Sequence, residues 1–194
     1  MSTRGVVGFV VDGVEKLFTR HHDAYPDSLG AEVVEWLTRH REAVLHPAPG
    51  GVVDRVRALR LMRAEPTPAD VDRMREVLLA RARDVRQRAW IGEVSDEELV
   101  DMSTEDLDAL LEIGFGWDDP TVPLDSVFCE WGYVIDLDAA RLEVYRGFQE
   151  APHRAGRFAD RPSTGGSYPV ALLASWPLTD LPDNDHLETM TEEG

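Results

Sequence analysis

Apolar residues at the N-terminal end of the chain follow the pattern of a β-hairpin. Residues 5–11 form an apolar, β-branched run, and residues 14–19 form a second run. Asp12-Gly13 lies between them, and this pair favours a tight hairpin turn because glycine accepts a positive φ without a Cβ clash. The sequence therefore predicts two antiparallel strands before residue 20.

Three further strands are predicted toward the C-terminus. Apolar residues alternate with polar or small ones over 129–137, and a second apolar run, 142–145, follows a short turn. The segment 168–176 is apolar almost throughout, which is typical of a strand buried on both faces. The acidic stretch 181–194 has few apolar residues, so we expect it to be a loose tail.

Between the two strand regions, apolar residues take the three-and-four spacing of helices. Helices are predicted over about 31–45, 52–63 and 67–90, from Ser95 onward, and from Ser103 to Gly114. The third is the most regular, and Thr67 and Asp70 give it the signature of a capping box. The segment 115–120 has no regular period and is predicted to be irregular.

The order of these elements determines the predicted fold class. Two strands come first, several helices follow and three strands end the pattern, and such segregation is typical of an α+β domain rather than a wound parallel sheet. We expect a single domain over 1–180 with one mainly antiparallel sheet of about five strands. The N-terminal hairpin should join the three C-terminal strands, with the helical middle section packed on one face.

Charge narrows the range of partners. The chain of 194 residues has a formal net charge of −17. Residues 1–90 carry 15 basic and 13 acidic side chains, whereas residues 91–194 carry 5 basic and 24 acidic ones. A strongly acidic half repels nucleic-acid phosphate, so ordinary binding of DNA or RNA is not expected.

The remaining composition predicts a cytoplasmic protein without a cofactor. The sequence shows no signal peptide and no apolar run long enough to span a membrane. Cys129 is the only cysteine and falls in a predicted strand, which indicates a buried, inert thiol rather than a nucleophile. The acids of 115–120 lack the spacing of a calcium loop, and no metal site is predicted.

The first candidate working surface is the corner that follows the N-terminal hairpin. Residues 20–25 place a guanidinium, two imidazoles, a carboxylate and a phenol in six consecutive positions. Adjacent histidines in a strand point to opposite faces, which disfavours a shared metal. We therefore predict a hydrogen-bonded corner in which Asp23 caps the loop and Tyr25 lies at its edge. His22 and Tyr25 are the residues expected to contact a partner.

The second candidate is the segment 149–167, which has no helical or strand period and is rich in proline and glycine. An unstructured connection of this length in a compact domain is often functional or disordered. The residues expected to bind a small anionic ligand or a partner's carboxylate are Arg146, His153, Arg154, Arg157 and Arg161. The alternative is that these arginines pair with nearby acids of the chain itself.

Several short motifs resemble an uncharacterised family of small proteins from high-GC bacteria and phages. The residues that carry the resemblance are Thr3-Arg4-Gly5, Gly8-Phe9, Asp12-Gly13, His22-Asp23-Ala24-Tyr25-Pro26 and Leu29-Gly30, followed by 130–138, 142–148 and 168–171. The resemblance covers most of the chain. It implies a phage or mobile-element setting and brings no function with it.

The N-terminus is also similar to that of the bile-salt hydrolase and penicillin V acylase family of N-terminal nucleophile hydrolases. Ser2-Thr3-Arg4, a glycine-containing hairpin and Thr19-Arg20-His21-His22-Asp23 carry this similarity. It implies that Met1 is removed and that Ser2 is the nucleophile, with its own α-amino group as base. Arg20 and Asp23 would hold the amino group and the substrate. Ser2 stands where that family has cysteine.

Three classes of function follow from the sequence. The leading hypothesis is a non-enzymatic protein-binding or regulatory module, because no complete catalytic set and no phosphate loop is found. Its surface would combine the corner 20–30 with the segment 149–167. The first alternative is an amide hydrolase that uses Ser2. The second is an acidic DNA mimic, which requires the carboxylates of 93–125 and 180–193 to lie on one exposed face.

Overall fold

The computed structural model describes residues 3–164 and 166–192. The strands in chain order are β1 Gly5–Val11, β2 Val14–Arg20, β3 Arg60–Met62, β4 Phe115–Trp117, β5 Trp131–Asp136, β6 Arg141–Arg146 and β7 Ala171–Pro177. The helices are α1 Ala31–Leu45, α2 Val52–Ala58, α3 Pro68–Arg81, α4 Val85–Glu93, α5 Asp96–Ser103, α6 Leu107–Ile113 and α7 Asn184–Glu192.

The main sheet joins the two ends of the chain, as the strand pattern predicts. Its order is β2-β1-β5-β6-β7. Neighbouring strands are antiparallel except β1 and β5, which are parallel. Asp12 and Gly13 form the first hairpin turn, with φ values of 52° and 73°. The predicted α+β class and mainly antiparallel sheet are confirmed.

The two faces of this sheet are covered by different kinds of structure. On one face Val7, Phe9 and Tyr133 belong to the main core, which they share with apolar residues of α1, α2 and α6. On the other face Val6, Val10, Leu17 and Val134 form a separate core with Phe158, Tyr145 and Val170. The helical middle section therefore covers one face, and the irregular chain between β6 and β7 covers the other.

A second helical unit lies beside the sheet. Helices α3, α4, α5 and α6 enclose a core that includes Met74, Leu99 and Met102. The short strands β3 and β4 pair in parallel against it. The presence of β4 corrects the expectation that 115–120 is wholly irregular.

Two predicted helices differ in extent from those observed. The helix expected over 52–63 ends at Ala58, where the buried ammonium of Lys16 donates to the carbonyl oxygens of Arg57 and Leu59. The helix expected over 67–90 is divided in two, because Ala82 is extended and Asp84 caps a new helix by accepting from the Gln87 amide. The predicted capping box of Thr67 and Asp70 is confirmed.

The C-terminal part contains two further differences. Strand β7, expected to be buried on both faces, lies at the edge of the sheet, and Leu173 is half exposed. Residues 184–192, expected within a loose tail, form α7. Leu187 is 1% exposed in the main core, and Met190 packs partly buried against it. No helix in the described parts of the chain is long and apolar enough to cross a membrane.

Candidate functional site

The segment 149–167 lies along the second face of the sheet. Phe158 is fully buried, with its ring centre 4.9 Å from that of Tyr145. The Leu172 amide donates to the carbonyl oxygen of Ala155, and the Thr164 amide donates to that of Leu124. The segment therefore has a structural role as the cover of the smaller core.

Arg157 lies among three carboxylates on this face. Glu15 on β2 and Asp136 on β5 both pair with Val10 of β1, so the two carboxylates lie on either side of Val10 on the same face of the sheet. The guanidinium of Arg157 is 2.8 Å from Glu143, 2.6 Å from Asp136 and 3.6 Å from Glu15. Burial alone would lower the pKa of Arg157, but its hydrogen bonds to Glu143 and Asp136 raise it above the ordinary value.

Other predicted anion-binding residues in this segment also have partners within the chain. Arg161 makes a two-pronged contact with Glu15, at 2.6 Å and 2.8 Å. The ring of His153 lies 2.8 Å from the carbonyl oxygen of Pro169, and Arg154 is exposed. For Arg157 and Arg161, the structure thus shows the alternative that the sequence left open, in which arginines pair with acids of the chain itself.

The corner after β2 is a compact, hydrogen-bonded turn. Arg20 is 8% exposed and donates to the carbonyl oxygen of Thr104 at 3.2 Å and to Glu32 at 3.3 Å. Asp23 has a φ of 51°, and its carbonyl oxygen accepts from the Leu29 amide. The side chain of Asp23 is exposed, as are those of the neighbouring His22 and Tyr25.

A cavity of roughly 390 Å³ opens beside this corner. Arg20, His22 and Asp23 line it together with Glu32 and residues of α3 to α6. Burial raises the pKa of Glu32, although the neighbouring Arg20 opposes the shift. Ser2, the nucleophile of the hydrolase alternative, lies outside the described residues. The structure thus brings Arg20 and Asp23 to one cavity.

Three carboxylates of 93–125 pair closely with arginines of the chain. Asp118 is 4% exposed, lies 2.9 Å from Arg63 and accepts from the Leu17 amide. Asp106 lies 2.7 Å from Arg81, and Asp108 lies 2.7 Å from Arg39. Within 3–164 and 166–192, no group of three His, Cys, Asp or Glu side chains is arranged to hold a metal ion.

Several segments meet at the end of the sheet where β1 begins and β6 ends. The Glu130 amide donates to Arg4 O at 2.9 Å, and the Phe148 amide donates to Ser126 O at 2.7 Å. The Ser126 amide in turn donates to Tyr168 O at 3.2 Å. We call the surface formed here the aromatic patch: Arg4, Val127, Phe128, Arg146, Phe148 and Tyr168.

The aromatic patch exposes large apolar side chains beside arginines. Val127 is 57% exposed, Phe148 51% and Tyr168 37%. The guanidinium of Arg4 lies 4.5 Å from the ring centre of Phe128. That of Arg146 lies 5.4 Å from the ring centre of Phe148 and 4.3 Å from that of Trp131.

Two residues predicted from the sequence belong to this region. Arg146 lies within the patch, and Tyr25 is close enough to affect the pKa of Arg146 electrostatically. Burial lowers the pKa of Arg146 from its ordinary value, while Glu130, Tyr133 and Tyr25 oppose the shift.

The backbone under the patch is tightly packed and strained. Phe148 has a φ of 56°, a left-handed conformation that is unfavourable for a bulky residue. Gly147 allows the chain to approach its neighbour, since a Cβ there would lie 2.2 Å from the carbonyl oxygen of Cys129. The fold thus holds the backbone of Phe148, whose side chain is half exposed, in this conformation at a cost in energy.

Most of the aromatic patch was not found by sequence reasoning. Val127 and Phe128 belong to no predicted periodic element, and Phe148 lies beyond the predicted strand 142–145, within the motif 142–148 of the family resemblance. The available signal was the presence of large apolar residues outside any helical or strand period. Such residues have no core position assigned by pattern, and this makes them candidates for an exposed surface.

Comparison with known proteins returned no match: no protein-family model, no curated protein and no solved structure is significantly similar to this chain. The function has to be argued from the geometry of the site.

Proposed function

We propose that the protein is a non-enzymatic protein-binding module whose partner docks on the aromatic patch. The observation that carries this proposal is Phe148. Its ring is half exposed, so it contributes little to the core, yet its backbone is held in a left-handed conformation. Strain of this kind is of the order of 1–3 kcal/mol and clusters at functional positions.

The composition of the patch supports the same role. Aromatic side chains and arginine are enriched in the centres of protein interfaces and supply most of their binding energy. Phe148 and Tyr168 present aromatic rings, and Arg4 and Arg146 stack on neighbouring rings that restrict their side chains. A surface with few free rotamers loses little entropy on binding.

The DNA-mimic and hydrolase alternatives have less support. A DNA mimic needs an array of free carboxylates, whereas Asp106, Asp108 and Asp118 are occupied by arginines of the chain. In the hydrolase, Arg20 would have to hold the substrate or the amino group, but its guanidinium already donates to Thr104 and Glu32.

Position-specific photocrosslinking in the cell tests the proposal. Val127 or Phe148 is replaced with p-benzoylphenylalanine, the chain is expressed in its native host, and the cells are irradiated. Val85 on α4, which is 82% exposed and lies outside the patch, provides the matched control position. We expect a discrete higher-mass adduct from positions 127 and 148 and none from position 85.

Two results would count against the proposal. One is the absence of adducts at both patch positions, although the full-length photoreactive protein accumulates. The other is the same adduct at all three positions, which would show non-specific proximity rather than a docking surface.

A further inference from the structure

A second cavity lies in the helical unit, where α5, β4 and the link 63–67 between β3 and α3 meet. Its volume is roughly 470 Å³, within the range of about 300–1,000 Å³ found for small-molecule sites. Trp117 of β4, Val100 of α5 and Pro66 of the link give it apolar walls, and all three side chains are partly exposed. Trp117 also packs against the core of the helical unit, so its indole has a fixed place in the wall.

The carboxylates around this cavity come from two segments of the chain. Asp96, Glu97 and Asp101 line it from α5, and Glu65 lines it from the link. No arginine or lysine lines it within the described ranges, whereas three arginines line the cavity beside the corner after β2. A positively charged group that entered this cavity would therefore meet no arginine or lysine among its lining residues.

Two of these carboxylates are not neutralised by the described chain. Asp96 and Asp101 each have a basic side chain nearby, at 3.6 Å and 3.4 Å. The carboxylates of Glu65 and Glu97 form no ion pair and no hydrogen bond with another described residue. The dipole of α5 favours an acid at Glu97, in its first turn, but it does not explain Glu65. The cavity thus keeps negative charge on two sides.

We propose that this cavity binds a small organic ammonium ion. An acidic surface alone attracts any counter-ion, but Trp117 adds a preference for a weakly hydrated organic cation, because tryptophan attracts such cations most strongly among the aromatic residues. Glu65 and Glu97 would neutralise the charge of the ligand, and Val100 would contact its apolar part. A metal ion does not fit, since no group of three ligating side chains in the described ranges is arranged to hold one.

This proposal is independent of the protein-binding role, and its test uses the full chain with defined probes. Choline and 2-phenylethylamine are titrated into the protein, with 3,3-dimethyl-1-butanol and 2-phenylethanol as neutral compounds of matched shape. Sodium chloride at the same concentrations controls for general attraction by the net charge of −17. We expect saturable binding of at least one ammonium ion. Its neutral counterpart should bind about tenfold more weakly, because it lacks the charge that the indole and the carboxylates attract.

Nuclear magnetic resonance of the indole N–H groups locates the bound ion. The chain has five tryptophans, and a Trp117→Phe variant assigns the signal of Trp117. We expect this signal to shift during the titration and the other four to stay unchanged. The proposal is overturned if neither ammonium ion binds saturably, if the neutral compound binds as well, if sodium chloride causes the same shift, or if the shifts map to the other indoles.

Variants provide a second measurement. Trp117→Leu should weaken binding of the ammonium ion about tenfold, because it removes the aromatic wall. A Glu65→Gln, Glu97→Gln double variant should also weaken it about tenfold. The matched control is Glu150→Gln, Glu188→Gln, which removes two exposed carboxylates outside the cavity and should bind like the unchanged protein. Equal affinity in all these variants would contradict the proposal, and thermal unfolding confirms that each variant is folded before it is compared.

Discussion

Arg157 shows how a residue that resembles a ligand-binding group serves the fold. Its guanidinium neutralises carboxylates on three strands, so it fastens the irregular segment 149–167 to the sheet. Removing one partner of a largely buried ion pair leaves the opposite charges without compensation. Arg157→Leu leaves Asp136 and Glu143 without this guanidinium, whereas Glu15 keeps its contact with Arg161.

We expect Arg157→Leu to lower the free energy of unfolding by about 3 kcal/mol or more. Arg141→Leu, which removes an exposed arginine of β6, should change it by less than about 1 kcal/mol. Urea denaturation monitored by circular dichroism measures both. If the free energy of unfolding fell by a similar small amount in both variants, Arg157 would not hold the segment 149–167 to the sheet.

Phe148 tests backbone strain, because its left-handed conformation is unfavourable for a bulky side chain and costs glycine little. Phe148→Gly and Phe148→Ala both remove the ring, but only glycine relieves the left-handed conformation. We therefore expect Phe148→Gly to be more stable than Phe148→Ala by about 1 kcal/mol. Thermal unfolding of the pair measures this difference, and an alanine variant at least as stable as the glycine variant would refute the claim of strain.

Among the elements, α7 is the one that composition describes least well. Its acidic residues predict a loose tail, yet Leu187 and Met190 are spaced three residues apart and reach the core from one face of the helix. Two apolar contacts are too few for a period to be recognised in the sequence. These contacts hold the helix in the folded protein because Leu187 lies in the main core and Met190 packs against it.

Substitutions on α7 test whether this helix is part of the packed fold. Leu187→Ala should lower the free energy of unfolding by about 2–5 kcal/mol, since a fully buried leucine is truncated. Glu188→Ala, at the exposed neighbouring position, should leave it nearly unchanged. Chemical denaturation of both variants measures this. If Leu187→Ala had the same free energy of unfolding as the unchanged protein, α7 would be a loose tail and not part of the packed fold.

Other elements show which parts of the fold the local sequence pattern predicts and which parts it does not. The hairpin of β1 and β2 is predicted fully, because its turn and both strands are encoded within one short stretch. The division between α3 and α4 is missed because the apolar spacing continues through it, while Asp84 supplies a competing cap. The position of β7 at the edge depends on strand order, which local sequence does not encode.

At the scale of the whole molecule, the order of strands and helices was enough to predict the α+β class and the joining of both chain ends in one sheet. The candidate site was predicted only in part. Tyr25 and Arg146 were found as chemically able residues, but the aromatic patch depends on contacts between residues far apart in sequence, such as Arg4 with Phe128. The spacing of apolar residues along the chain carries no information about such contacts.

The measurement that tests the central claim most directly is quantitative affinity capture from the native host. The unchanged protein is compared with a Val127→Asp, Phe148→Ser double variant and with a matched control, Val85→Asp, each shown to be folded by circular dichroism. If the aromatic patch is the docking surface, one or more proteins are retained by the unchanged chain and by Val85→Asp and are lost from the double variant. Retention of the same proteins by all three chains, or by none, would contradict the account.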